Sequence, residues 1–312
     1  MNLSFDANSS PPFLVGANLP WLHYGIDFGA NAWRPGGGVG QPRERAQLDK
    51  TFEHLAGSGV RCVRWFLLCD GRAGIRFSEG GRPLGLDDFI SRDIDAALDI
   101  ARRHGIQIIF VLLDFLVCDG ARAVRGVQMG GRAHLLSEPA HRDALLDAVF
   151  RPLVERYGRE PVILAWDIIN EPEWIQTMDF ADVQRFLTES VALIRSCTAQ
   201  LVTVGSAGVR WRDRYTALQL DFYQVHWYDN LKHQPSLATP VSQLGFERPV
   251  LLGEFPTRGS KRTPENIIAT ARAAGYAGAL YWSVLSQDEC SAGSTEQDPA
   301  HVPNPESPIP NP

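Results

Sequence analysis

Eight short apolar runs recur along the chain, and most are apolar without interruption: 13–19, 60–68, 106–115, 161–170, 200–206, 222–228, 249–255 and 278–285. A strand with one wet face alternates polar and apolar residues, whereas an unbroken run is buried on both faces. Between several runs lie segments with helical spacing: Leu48, Phe52 and Leu55 in 43–59, then Phe89, Ile94, Leu98 and Ile100 in 87–105. Helices are also expected over 141–158, 181–197 and 264–275. Eight doubly buried strands with covering helices predict an α/β fold, a single-domain (β/α)8 TIM barrel. No clear helix follows the eighth run. The expected division is an N-terminal extension over 1–12, a catalytic barrel over 13–290 and a Pro-rich tail over 291–312.

A chain of 312 residues suits one such barrel and buries its core without disulfides or metals. Five cysteines with no close CxxC pair read as buried free thiols, although Cys69 and Cys118 each precede an aspartate at neighbouring strand ends and could lie together. Net charge is −6, which calls for no nucleic-acid partner, and no apolar run is long enough to span a membrane. The start, MNLSFDANSSPPFLVG, has neither the basic nor the apolar region of a signal peptide. The expectation is a cytoplasmic chain as written, or a secreted one if a leader has been trimmed. No residue pattern indicates an oligomeric state.

In a barrel of this kind chemistry collects at the C-terminal strand ends. Those ends carry Arg64 on the second run, Asn170-Glu171-Pro172 on the fourth, His226-Trp227-Tyr228-Asp229 on the sixth, Gly253-Glu254 on the seventh and Trp282 on the eighth. Two glutamates facing each other across the mouth are the equipment for glycoside cleavage: one protonates the leaving oxygen, and the other attacks or activates water. Adjacent Asn170 and Glu171 cannot both face a cleft on a regular strand, so a bulge or bend is expected there, ended by Pro172.

GVRCVRW, AWDIINEP, VHWY, LLGEF and LYWS, in this order over roughly residues 13 to 285, resemble the retaining glycoside hydrolases of clan A, most of all the cellulase- and mannanase-like members of family 5. The resemblance implies Glu171 as acid/base and Glu254 as nucleophile. It implies Asn170 as the amide bonding the sugar 2-hydroxyl, and Arg64 and Tyr228 as groups that keep the nucleophile ionised and oriented. His226 would line the site beside the acid/base, and the Trp282 indole would lie under the sugar. It further implies a β-linked oligo- or polysaccharide substrate, a β-1,4-glucan or mannan, cleaved with retention and without cofactor or metal. An exo-acting glucosidase- or mannosidase-like enzyme and a catalytically silent carbohydrate-binding barrel are the alternatives. Long loops after strands one and three would favour exo action by walling off one end of the cleft. Strand three departs from the family by lacking a terminal histidine, and Asp114 or Asp119 is expected in its place.

Other residues have plainer readings. Asp167 is expected to be structural, paired with an arginine, and Glu173 is undecided. Trp174 either binds a neighbouring sugar or packs its loop. Trp21, His23 and Tyr24 would shape a subsite. Trp211, with Arg210, Arg212 and Arg214, reads as a solvated loop, and Trp65, Trp166 and Trp227 as core. GGGVG (36–40) lacks the strand-turn-helix setting of a phosphate cradle and reads as a flexible loop.

Overall fold

A computed structural model describes residues 13–285 and 288–291, and in it the eight runs close into one parallel barrel. The strands are β1 (Leu14–Asn18), β2 (Cys62–Phe66), β3 (Gln107–Asp114), β4 (Ile163–Asn170), β5 (Leu201–Ser206), β6 (Tyr223–His226), β7 (Val250–Pro256) and β8 (Gly278–Trp282). Each pairs with its sequence neighbours, and β1 with β8 completes the circle, with Gly16 opposite Leu280. The expected extension over 1–12 and nearly all of the expected tail lie outside the described residues.

Alternation along each strand sorts side chains into two compartments. On β2, Val63 and Trp65 join the large outer core against the helices, while Cys62 joins Leu14, Ile109, Leu251 and Leu280 in an apolar plug inside the barrel. Two residues on, Arg64 points inward as well, and Phe66 packs above it with Cys69 and Val111. The interior is therefore layered: apolar at the base, charged in the middle, aromatic and acidic at the mouth. The charged layer is what a continuous apolar run conceals.

The outer layer comprises α1 (Pro42–Gly57), α2 (Ile90–His104), α3 (Pro139–Leu145), α4 (Arg151–Tyr157), α5 (Phe180–Cys197) and α6 (Pro264–Ala274). A π-helical turn over Leu146–Phe150 joins α3 to α4, so the single helix expected over 141–158 is one rod with a widened turn. After β5 and β6 the covering elements shrink to single 3-10 turns, Val209–Arg214 and Val241–Gln243. Two small hairpins, Ile75–Phe77 with Pro83–Leu86 and Arg122–Val124 with Val127–Met129, decorate the loops and leave no trace in the apolar pattern. No helix among the described residues is long and apolar enough to cross a membrane.

The loop 36–40 corrects an expectation. It is anchored: the Asp93 carboxylate on α2 accepts from the backbone N–H groups of Gly29, Gly38 and Gly40 at 2.8–2.9 Å, and Val39 is fully buried. The glycines do cradle an anion, but it is the protein's own carboxylate. Gly38 must be glycine, because a Cβ there would run into the Asp27 carbonyl. Cys69 and Cys118 are both free and pack in different apolar clusters.

Close packing at the barrel base yields a direct check. A Cβ at Gly16 would collide with Leu280 and lie 2.6 Å from the Cys62 carbonyl oxygen. Gly16→Ala is expected to cost about 1–3 kcal/mol by overpacking, read as a lower urea midpoint with unchanged slope.

Candidate active site

Arg64 organises the mouth. Its side chain is fully buried, and its guanidinium donates to four side chains: Nε to Asp167 Oδ2 (2.9 Å), Nη1 to Asn18 Oδ1 (3.1 Å) and Glu254 Oε1 (2.7 Å), and Nη2 to Asn170 Oδ1 (2.9 Å). Burial works against the charged guanidinium, but the carboxylates of Asp167 and Glu254 outweigh it and hold its pKa above the ordinary arginine value. Asp167 is thus the arginine's counter-ion, and it is further held by Gln224 Nε2 (2.8 Å) and the Gly205 N–H (2.9 Å). Gly205 leaves room for the arginine, since a Cβ there would strike Nη2.

The two glutamates reach the same space through backbone irregularities. The β4–β5 register shifts between Asp167 and Asn170, and Glu171 adopts a left-handed conformation at φ 42° before Pro172 opens a 3-10 turn. The expected bend is therefore present, and it leaves Asn170 and Glu254 sharing Arg64. A second irregularity was not foreseen: β7 slips against both neighbours around Gly253-Glu254. A one-residue slip changes the face a side chain occupies, so each acid is turned inward by a bulge.

Glu171, Glu254 and His226 each place an atom within 4.8 Å of the other two. Nδ1 of His226 lies 2.6 Å from Glu171 Oε1 and 3.4 Å from Glu254 Oε2. Trp174 Nε1–H donates to Glu171 Oε2 (2.9 Å), and the Tyr228 hydroxyl to Glu254 Oε2 (2.8 Å). Burial pushes Glu171 up to about 7, against the pull of Trp174 and Arg64. Burial also raises Glu254, although His226, Arg64 and Tyr228 all pull it down. The holding groups expected around the nucleophile are in place, yet desolvation outweighs them. His226 goes the other way: burial lowers it to about 4, so the ring is neutral near pH 7. These three side chains are also the group whose donor atoms would suit a divalent cation, and the Arg64 charge on Glu254 opposes one.

The remaining expectations resolve individually. Trp282 lies at the mouth beside Trp21 (6.0 Å) and Phe66 (6.4 Å), its Nε1–H fixed on Asp288 (2.8 Å). Trp174 touches the Glu171 carboxylate and meets Trp211 edge-on at 5.3 Å. Trp211 is half-buried under the Arg210 guanidinium, 3.7 Å from its ring centre, rather than solvated. Asp114 is buried at the end of β3, accepts from Tyr24 (3.2 Å), and is pushed up to about 7 by burial. Tyr24 and Trp21 thus reach the mouth, while His23 turns away to Glu44 (3.0 Å). Glu173 is structural: Ser206 Oγ (2.5 Å) and the Ala207 N–H (3.2 Å) donate to it and tie the loop carrying Glu171 to β5. Trp227 lies past the end of β6 and is only partly buried. Asn18 and Gln224 were missed, though a lone amide at an inward position of an apolar run is the signal that would have found them.

No family model matches the chain. Among curated proteins, the mannan endo-1,4-beta-mannosidase of Mytilus edulis is 25% identical over 331 residues, covering 90% of this chain and 86% of its own length. The mannan endo-1,4-beta-mannosidase of Cryptopygus antarcticus is 22% identical, with 89% and 82% covered. The resemblance to mannanase-like glycoside hydrolases stands. Among solved structures, the endo-1,4-beta-mannanase of Eisenia fetida superposes with a TM-score of 0.77 at 21% identity, covering 91% of this chain and 88% of that one. The blue mussel beta-mannanase gives 0.75 at 24%, with 87% and 86% covered. These structures share the (β/α)8 fold with the mannanase-like barrel described here.

The arginine's role is testable by two substitutions. Removing it in Arg64→Ala strands two buried carboxylates and is expected to cost about 3–5 kcal/mol. Arg64→Lys keeps the charge but cannot fork to four partners. It is expected to fold with a lowered Tm and to lose most turnover, read by calorimetry and by assay on one preparation.

Proposed function

We propose that this protein hydrolyses β-1,4-linked mannan with retention of configuration, Glu254 acting as nucleophile and Glu171 as acid/base. The observation that carries the reading is the approach of one carboxyl oxygen of Glu171 to one of Glu254, within 4.8 Å. Retaining sites hold their acids about 5–5.5 Å apart, whereas inverting sites keep about 6.5–9.5 Å for a water between them. The names of the relatives support mannan over glucan, and endo action as the principal mode.

In the first step a Glu254 carboxylate oxygen bonds to the anomeric carbon as the glycosidic C–O bond breaks, and Glu171 gives its proton to the departing oxygen. In the second, Glu171, now a carboxylate, takes a proton from water as that water's oxygen bonds to the anomeric carbon and the Glu254 ester opens. Burial supplies the proton for the first step, because a carboxyl at about 7 keeps about half its population protonated at pH 7, where an ordinary glutamate keeps almost none. Arg64 and Tyr228 orient Glu254 by holding one oxygen each. With Asn170 Oδ1 committed to Arg64, its Nδ2–H is the group left for the sugar 2-hydroxyl. Trp282 offers a flat face to the sugar ring.

One observation favours exo action as a second reading. The loops after β1 and β3 are tied together where Trp33 Nε1–H donates to the Val124 carbonyl at 3.1 Å, the arrangement needed to close one end of a cleft. Digestion of mannohexaose separates the modes: internal cuts give dimers and trimers at once, and stepwise removal gives mannose.

Glu254→Ala is expected to abolish turnover, with azide restoring it as a glycosyl azide; undiminished activity in that variant would sink the assignment. The pH profile follows from burial. The working Glu171 is protonated, so kcat/KM is expected to fall as pH rises through about 7. The working Glu254 is ionised and its pKa is raised, so the acid limb is expected above the ordinary glutamate value.

A further inference from the structure

Beneath the glutamates, two buried polar atoms find no hydrogen-bonding partner among the described residues: Oε1 of Gln224 and Nε2 of His226. Both residues lie on β6, two apart, so both side chains enter the barrel, and each is 1% exposed. They meet at one point. A Cβ built on Gly253 would lie 2.8 Å from Gln224 Oε1 and 3.3 Å from His226 Nε2. Glycine at 253 therefore lets the two atoms converge, where a side chain would push them apart.

Their chemistry is complementary to one molecule. The Gln224 amide is oriented by its Nε2–H donating to Asp167 Oδ2 at 2.8 Å, which leaves Oε1 as an acceptor. On His226, Nδ1 faces carboxylate oxygens of both Glu171 and Glu254, so the hydrogen belongs on Nδ1 and the lone pair on Nε2. Two unpartnered acceptors converging on one point call for a donor with two hydrogens.

We propose that an internal water sits over Gly253, donates one hydrogen to Gln224 Oε1 and the other to His226 Nε2, and so locks His226 in the tautomer whose Nδ1–H is directed at Glu171. Gln224 is then a positioning residue for the acid/base, acting through the water and the imidazole. The consequence rests on Glu171 being the acid/base. A histidine that donates to Glu171 favours its carboxylate, the form left once the proton has gone to the leaving oxygen. The opposite tautomer would accept the Glu171 proton and hold it away from the substrate. Gln224 also connects this tautomer to the arginine's counter-ion, Asp167.

The primary test needs no substrate. In the 15N-histidine-labelled enzyme near neutral pH, the His226 pair, assigned by its loss in His226→Asn, is expected to show a pyrrole-type Nδ1 and a pyridine-type Nε2. A protonated Nε2 overturns the proposal whether or not the chain cleaves mannan. Gly253→Ala crowds both acceptors and so excludes the water between them, Gln224→Leu removes one acceptor, and in each the Nε2–H form is expected to appear. The alkaline limb of kcat/KM should then move up by about half a pH unit or more, with mannan turnover down about tenfold. Glycosylation by a dinitrophenyl β-mannoside, whose leaving group needs no proton, should change less than about twofold. Variants that fold with unchanged 15N pattern and unchanged alkaline limb also overturn it. Absence of turnover on every mannoside with the expected 15N pattern would instead refute the mannanase reading and leave the tautomer lock standing.

Discussion

The active end of this barrel depends on a single buried cation. Arg64 sits where water does not reach, and a lone guanidinium there would carry a prohibitive desolvation cost. It is tolerable because Asp167 and Glu254 supply opposite charge while Asn18 and Asn170 complete its donors. Those partners come from β1, β4 and β7, so satisfying one guanidinium fixes the relative register of strands on opposite sides of the barrel. Charge balance then orders the acids. Arg64 and Asp167 cancel, Glu254 adds one negative charge, and an ionised Glu171 within 4.8 Å of it would add a second in a desolvated space. One proton between the two glutamates relieves that repulsion, and a retaining mechanism needs it on Glu171, whose carboxyl burial lifts to about 7. Asp167 therefore has a chemical consequence although it touches no reacting atom: without it the arginine's charge would favour ionisation of both glutamates.

Regular strands cannot deliver this arrangement. Inward positions on β4 are set by Ala165 and Asp167, and a strict alternation would continue through Ile169 and leave Asn170 facing the helices. The slip after Asp167 moves Asn170 inward, and the left-handed turn at Glu171 brings the next carboxyl over the same mouth. On β7, Leu251 belongs to the interior plug and Leu252 to the outer core, so Glu254 needs its own slip to join the interior. A non-glycine residue at positive φ carries strain. At Glu171 the neighbouring contacts hold it: its N–H donates to Gly205 O at 2.7 Å, and Glu173, two residues on, is clasped by Ser206 and Ala207. These anchors lie at the end of β5 and on the residue after it, which explains why a strand with no acid of its own is built with a glycine and a serine at its upper end.

Much of this was legible in the sequence. Buried strands announce themselves by unbroken apolar runs, and polar residues at their ends stand out because they violate the pattern, which is how Arg64, Glu171, His226 and Glu254 came to attention. The bend at Asn170-Glu171 followed from counting alternation against two adjacent polar residues. Gly253-Glu254 gave no such conflict, because a glycine beside a single acid breaks no rule, and the second bulge went unread. Asn18 and Gln224 were passed over as incidental, since a lone amide in FLVGANL or FYQVHWY is visible only when its face is also counted. The anchored 36–40 loop was illegible for another reason: the anion its glycines bind, Asp93, lies more than fifty residues away and looks from its surroundings like any acid in a helix's first turn.

Strand three shows where the physics of the hub stops. Asp114 stands at the mouth, but its partners are Tyr24 and the backbone of its own turn rather than Arg64, and burial above all, with the nearby Glu171 and Asp70 charges, raises it to about 7. Burial is the first cause there as at Glu171, and the carboxyl sits close enough for a negative charge on Glu171 to oppose its own ionisation. The two acids therefore share a preference for protons while differing in what surrounds them. Glu171 has a tryptophan N–H and a histidine at its oxygens, groups that stabilise the carboxylate once it forms. Asp114 has a tyrosine hydroxyl and a backbone N–H and, among the described residues, no cation on either oxygen. Burial raises both of them, and what sets Glu171 apart is its place: one of its oxygens lies within 4.8 Å of the Glu254 carboxyl, beside the bond that the nucleophile would break.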